Sequence, residues 1–152
     1  MSLRVWLPLT RDANNQGLSN ITTEIHGPTS SVYGKIGSCY EFDGSNDYIS
    51  LAGEELYSII RGGAHPMSFA FWVYHNDSTR GIIFGDYRLS GYIDFNIELT
   101  SDHTIRFYWH NVPNKIFSGS EVALQGWTHI VITYDGTKVL IYKNGTLLSD
   151  VY

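Results

Sequence analysis

A chain of 152 residues with 43% hydrophobic and 16% charged side chains is the size of one domain, and it can bury a core without disulfide staples. That balance excludes a disordered chain, and a formal net charge of −5 with no run of Lys or Arg excludes nucleic acid or an anionic membrane as an electrostatic partner. Aromatic residues at 14% and fifteen glycines favour an all-β fold, since aromatic and β-branched side chains suit a pleated surface and glycine punctuates it.

The first candidate strand is "LRVWLPL", residues 3–9, with Leu3, Val5, Leu7 and Leu9 on one side. Pro8 removes a ladder donor and places it at an edge or a strand end. The opening "MSLRVWLPLT" is too short and too soon polar for a signal peptide, and no apolar stretch is long enough to span a membrane. "TRDANNQGLSN" has loop composition. "SCYEF" and "DYISL" then flank Asp43-Gly44-Ser45-Asn46, which predicts a hairpin. Cys39 has no second cysteine to pair with and reads as a small residue packed in a strand.

"GEELYSII" is the one helical segment, one or two turns long and stopped by Arg61-Gly62-Gly63. Strands resume with "MSFAFWVY", "RGIIFGDY", "GYIDFNIEL", "HTIRFYW", "WTHIVITY" and "KVLIYKNG". Asp135-Gly136 and Asn144-Gly145 predict hairpins with type I′ turns. Roughly ten strands with tight turns predict a two-sheet antiparallel β-sandwich, a jelly roll, as a single domain over residues 1–152. Its expected core includes Phe42, Phe69, Phe71, Phe95, Ile97, Phe107, Val131 and Ile141. In "WTHIVITY", Trp127, His129, Val131 and Thr133 share one face and Thr128, Ile130, Ile132 and Tyr134 the other. Both faces are largely apolar or aromatic, as in a strand covered on one side and holding a concave surface on the other. His129 there reads as a hydrogen-bonded, half-buried histidine.

"YIDFNIEL", residues 92–99, alternates strictly. Ile93, Phe95, Ile97 and Leu99 face a core; Tyr92, Asp94, Asn96 and Glu98 set a polar row on the other side, expected to be solvated, with Asp94 and Glu98 accessible on one face. No G-x-S-x-G elbow, H-E-x-x-H or phosphate loop is present, and the six histidines are scattered without ligand spacing.

Three stretches in order, "GSCYEFDGSNDYISL", "MSFAFWVY" with Trp72, and "GWTHIVITYDGTKVLIYKNGTLL", resemble laminin-G-like domains of the concanavalin A-like jelly-roll class across residues 37 to 148. The resemblance implies a sandwich shared by lectins, adhesion modules and glycoside hydrolases. Hydrolases of the class carry E-x-D-x-E on one strand, so that period two aligns nucleophile and acid. Asp94-x-Asn96-x-Glu98 departs from that motif at two of three positions, which argues against an active site and leaves the row as part of a binding face. The resemblance also brings calcium as the one cofactor, with Asp43, Asn46 and Asp47 in one turn and Asp77 and Asp86 in loops; a single turn supplies too few oxygens, and Asp and Asn also build turns. For sugar, the candidate aromatic platforms are Trp109 with His110, and Tyr87 with Tyr92.

The function these readings imply is a non-enzymatic recognition or adhesion module for a glycan or a protein surface, in a larger extracellular or virion-associated assembly. "RVWLPLTRDANNQG" resembles first strands of such modules in phage and gut-bacterial structural proteins. The alternatives are a divergent glycoside hydrolase using Asp94 and Glu98, and a purely structural or oligomerisation domain. In the family the Y-x-N-G hairpin is followed by further strands, including a G-x-[IL]-D-E segment, whereas only seven residues follow Gly145 here. The expectation is therefore a piece of a longer protein, or a homo-oligomer whose second copy covers the open edge near "LRVWLPL" and Trp6.

Overall fold

The structure, a computed structural model, describes residues 5, 7–10, 12–17, 20–61, 66–76, 79–87, 93–109, 112–116, 122 and 125–148. The chain divides into two compact units, Met1–Ile59 and Ile60–Tyr152. In the first lie β1 (Thr22–His26), β2 (Thr29–Ser31), β3 (Cys39–Glu41) and β4 (Tyr48–Ala52), followed by α1 (Glu54–Arg61), which runs across the division. The second carries β5 (Met67–Tyr74), β6 (Gly81–Tyr87), β7 (Ile93–Leu99), β8 (Ile105–Trp109), β9 (Val112–Ile116), β10 (Trp127–Tyr134), β11 (Val139–Lys143) and β12 (Thr146–Leu147).

In the first unit β1 pairs antiparallel with β4, and β2 with β3. The register runs His26↔Tyr48 and then Thr29↔Glu41, so Gly27 and Pro28 on one side face residues 42–47 on the other. Asp43-Gly44-Ser45-Asn46 is thus not the predicted hairpin connection but a protruding bulge in a two-stranded ribbon, whose tip is residues 32–38. Backbone geometry accounts for the correction. Gly27 has φ +91°, and a Cβ there would lie 1.9 Å from Asp47 Oδ1, so the ribbon bends where the bulge folds against a bare glycine. The bulge holds itself: Asp43 Oδ1 accepts from the Ser45 amide at 2.8 Å, and Asp47 Oδ2 from the Asp43 amide at 3.0 Å.

Phe42, at the start of the bulge, is exposed rather than in the core. "LRVWLPL" is also corrected, since residues 5 and 7–9 form no strand; Leu9 has φ +54°, which no extended strand accommodates. Trp6 lies outside the described residues. β1, "TTEIH", was hidden because its polar residues fall on both faces. α1 is as expected: the Gly53 carbonyl accepts from Leu56 and Tyr57 at 3.1 and 3.3 Å, and Glu54 and Glu55 in the first turn complement the helix dipole.

The second unit contains two four-stranded antiparallel sheets, β12-β11-β10-β5 and β6-β7-β8-β9. In the first sheet alternation sends Thr128, Ile130, Ile132 and Tyr134 of β10, and Val139 and Ile141 of β11, to a buried inner face. Val131 belongs to the opposite row with Trp127 and His129, so of the expected core residues it is half-buried on the outer side. The sheets meet through phenylalanines. Phe69 of β5 stands 5.6 Å from Phe84 of β6 and 5.0 Å from Phe95 of β7, and Phe95 stands 5.4 Å from Phe107 of β8. Phe95, Ile97 and Phe107 are fully buried. The all-β sandwich is the predicted fold class, with one eight-residue helix among the described residues.

Two hairpins differ in kind. Asn144 and Gly145 both have positive φ, +49° and +84°, as a two-residue type I′ turn requires. At Asp135-Gly136 only the glycine does, with φ +105°; the loop spans residues 135–138, and Asp135 Oδ1 accepts from Thr137 and Lys138 at 2.8 and 2.7 Å. β9 was unpredicted because it contains Pro113, which is tolerated on this edge strand.

Replacing Phe95 by Ala should cost about 3–5 kcal/mol, because its ring joins both sheets and the gap cannot close; urea denaturation measures this. The turn carboxyls of Asp43, Asp102 and Asp135 are held below the ordinary 3.8, chiefly by the Ser45 amide, the Thr100 hydroxyl and the Lys138 amide respectively. A depressed folded-state value contributes stability above the unfolded value and loses it as pH falls through the folded one. Stability should therefore decline on acidification below 3.8, and carboxyl titrations followed by NMR should place all three midpoints under that value.

Candidate functional site

β7 is buried on both faces from Phe95 to Leu99. Its outer row was expected to be solvated, yet Asn96 is 3% and Glu98 1% exposed, which overturns that reading and the accessibility expected of Glu98. Arginines are the physical reason. Glu98 stands opposite Arg106 on β8, whose guanidinium donates from Nε and Nη2 to Oε1. Arg80, just before β6, donates from Nη2 to Oε2 at 2.7 Å. A carboxylate so enclosed keeps its charge tolerable by pairing and hydrogen bonding.

Asn96 completes the arrangement. Its Nδ2 donates to Glu98 Oε2 at 3.1 Å, which fixes the amide orientation. The opposing Oδ1 is buried and finds no hydrogen-bond partner among the described residues. Beside it runs Gly85, cross-strand from Asn96, where a Cβ would come 3.5 Å from Oδ1 and 3.3 Å from the Phe95 carbonyl oxygen. An aspartate at 96, as in the hydrolase motif, would set a second carboxylate against Glu98. Both Glu98 oxygens are engaged by neighbouring side chains, which ties the carboxylate into the fold as a structural anion.

The remaining candidates divide. The backbones of Tyr87, Asp94 and Trp109 lie on β6, β7 and β8, with Tyr87 paired to Ile93 and Trp109 to Phe95, but their side chains, like Tyr92 and His110 entirely, fall outside the described residues. Asp86 is in β6 rather than in a loop, and Asp77 is not described. Asp43, Asn46 and Asp47 share the bulge, where the two carboxylates are turned onto its own backbone amides. Calcium takes roughly six to eight oxygens, and the two carboxylates of this bulge already accept from its own amides, so Asp43, Asn46 and Asp47 by themselves fall short of a calcium cage. An open depression lined by Asn20, Thr22, Gly53, Glu54 and Tyr57 contains none of the predicted site residues.

Sequence reading missed the outer face of the first sheet. Register places Trp72 opposite His129 and Tyr74 opposite Trp127. The rings meet at 4.9 Å and 5.5 Å between centroids, and Trp72 and Tyr74 remain 38% and 41% exposed. The signal was present in "MSFAFWVY" and "WTHIVITY", whose non-core rows each carry two aromatic rings, but which pairs align is set by register and not by either strand alone.

Two four-stranded antiparallel sheets joined through a phenylalanine core define the all-β sandwich class. The sequence model of the family described as the Concanavalin A-like lectin/glucanases superfamily (Laminin_G_3) matches residues 43–151, and the chain belongs to that superfamily. Among curated proteins none matches the chain.

Glu98→Gln should destabilise the protein by about 3 kcal/mol, at the low end for a broken buried pair because Arg80 is mostly exposed and can re-solvate. Asn96→Asp should lower the thermal midpoint as well, by adding an unpaired anion beside Glu98. Thermal and urea melts of the two variants measure both.

Proposed function

We propose that the chain is a non-enzymatic recognition module that binds a glycan on the outer face of β5 and β10. The paired rings Trp72–His129 and Tyr74–Trp127 carry this reading. A flat ring presents a polarisable face to the axial C–H groups of a pyranose, while the indole N–H, phenol O–H and imidazole nitrogens at its edges hydrogen-bond the hydroxyls. Rings fixed by cross-strand stacking lose little rotamer entropy on binding. The engagement of both Glu98 oxygens supports binding over hydrolysis.

A second reading, a protein surface as ligand, is favoured by the ribbon tip, where Val32, Tyr33 and Ile36 are all exposed, Tyr33 to 80%. A glycan array with Trp72→Ala separates the two. The expected outcome is a bound glycan class whose affinity falls about tenfold or more in Trp72→Ala, the loss of one stacking contact, and is unchanged in Tyr33→Ser. An array without signal, together with partner capture abolished by Tyr33→Ser, would favour the protein-surface reading. Reducing-sugar release abolished by Glu98→Gln in a variant that still folds would overturn the non-enzymatic one.

A further inference from the structure

Two imidazoles meet at one end of the second unit, each brought by a different sheet. His75 directly follows β5, and His103 sits in the turn between β7 and β8. Their Nδ1 atoms are 3.2 Å apart and their ring planes inclined at 68°. His75 Nε2 lies 3.1 Å from the Thr79 carbonyl oxygen, which can only accept. The proton of His75 therefore sits on Nε2, and its Nδ1 presents a lone pair.

The backbone holds both rings in place. His103, at φ +64°, donates its amide to the Thr100 carbonyl at 3.0 Å. The segment ahead of β10 fastens the pair from the other side, Val122 donating to the His103 carbonyl at 2.7 Å and Gln125 to the His75 carbonyl at 2.8 Å.

We propose that His75 and His103 chelate a borderline divalent transition cation, such as zinc, nickel or copper, through their two Nδ1 atoms. Metal–nitrogen distances of about 2.0–2.1 Å in a tetrahedral shell set neighbouring nitrogens about 3.4 Å apart. The observed 3.2 Å matches that edge. A ring N–H donated to a backbone carbonyl is the support that metal-binding histidines use to fix tautomer and orientation, and His75 has it in Thr79. Without the cation, His103 Nδ1–H donates to His75 Nδ1; with it, that proton moves to His103 Nε2 through solvent and both Nδ1 lone pairs face the metal. The two imidazoles supply two of the cation's positions, and water can complete its shell. Two imidazoles favour copper over nickel and zinc, and reject magnesium and calcium, which prefer oxygen. The cation would tie the ends of the two sheets, so it should stabilise the fold.

Isothermal titration of the full chain with copper(II), zinc and calcium chlorides, at constant pH, tests this. One equivalent of copper or zinc should bind and raise the thermal midpoint, calcium should not, and His75→Ala and His103→Ala should each weaken binding at least tenfold while His26→Ala, on β1 of the first unit, leaves it unchanged. Substoichiometric copper(II) added to the wild-type protein should broaden the ring resonances of His75 and His103 before any other histidine, a readout that needs no variant to fold. Absence of transition-metal binding, undiminished binding by folded His103→Ala, or first broadening at another histidine would each overturn the proposal.

Discussion

Strand β7 is covered on both faces, and most of the second unit is arranged around that constraint. On the inner side Phe95 fills the space between the sheets, touching Phe69, Phe84 and Phe107. On the outer side Asn96 and Glu98 are equally enclosed. An apolar residue accepts enclosure gladly; a carboxylate does so only where partners replace its water. Arg80 and Arg106 supply them from the two flanking segments, so the strand is clamped laterally as well as packed. A one-residue slip would turn Glu98 into the phenylalanine cluster and Phe95 onto the guanidiniums. The register is thus specified twice, once by each face.

The first sheet follows the ordinary division, with one row buried and the other facing outward. At one end that outer face carries four rings, Trp72, Tyr74, Trp127 and His129, where a sheet surface is usually polar. The two sheets therefore differ in what they leave accessible. Both carboxylate oxygens of Glu98 on β7 are engaged by neighbours in the fold, whereas the rings on β5 and β10 stack on each other and still leave Trp72 and Tyr74 with exposed surface.

Alternation made β5 and β10 legible to the residue, and the paired motifs around Trp72 and "WTHIVITYDG" made the family legible as well. Alternation states which residues share a face. It is silent on whether that face is covered, and so the polar row of β7 read as wet. One signal was available. The turn after Leu99 is compact, and hairpin register carried across it places Glu98 beside Arg106, an opposite-charge pair that would have suggested a structural role. Arg80 offered no such clue, since it reaches Glu98 from before β6, where a bulge between Ile82 and Phe84 disturbs the count. In the first unit, Asp43-Gly44-Ser45-Asn46 has turn chemistry and does turn; composition cannot distinguish a hairpin end from a bulge, because the distinction lies in the partner strand at Gly27.

The turn over residues 100–104 links these features. The Thr100 amide donates to the Thr104 carbonyl at 2.9 Å, the two threonine hydroxyls lie 2.7 Å apart, and both reach the Asp102 carboxylate. Such a mesh removes the slack by which a five-residue connection could shift its strands. Leu99 is therefore held opposite Ile105, and one pair further on Glu98 meets Arg106. The same closure leaves His103 at the apex in a left-handed conformation, directed to His75 at the end of the opposite sheet. A non-glycine residue at positive φ is costly unless its surroundings hold it there, and here the Thr100 carbonyl and the Val122 amide do so. One short polar turn thereby fixes the alignment of the buried ion cluster at its base and the position of an imidazole at its tip.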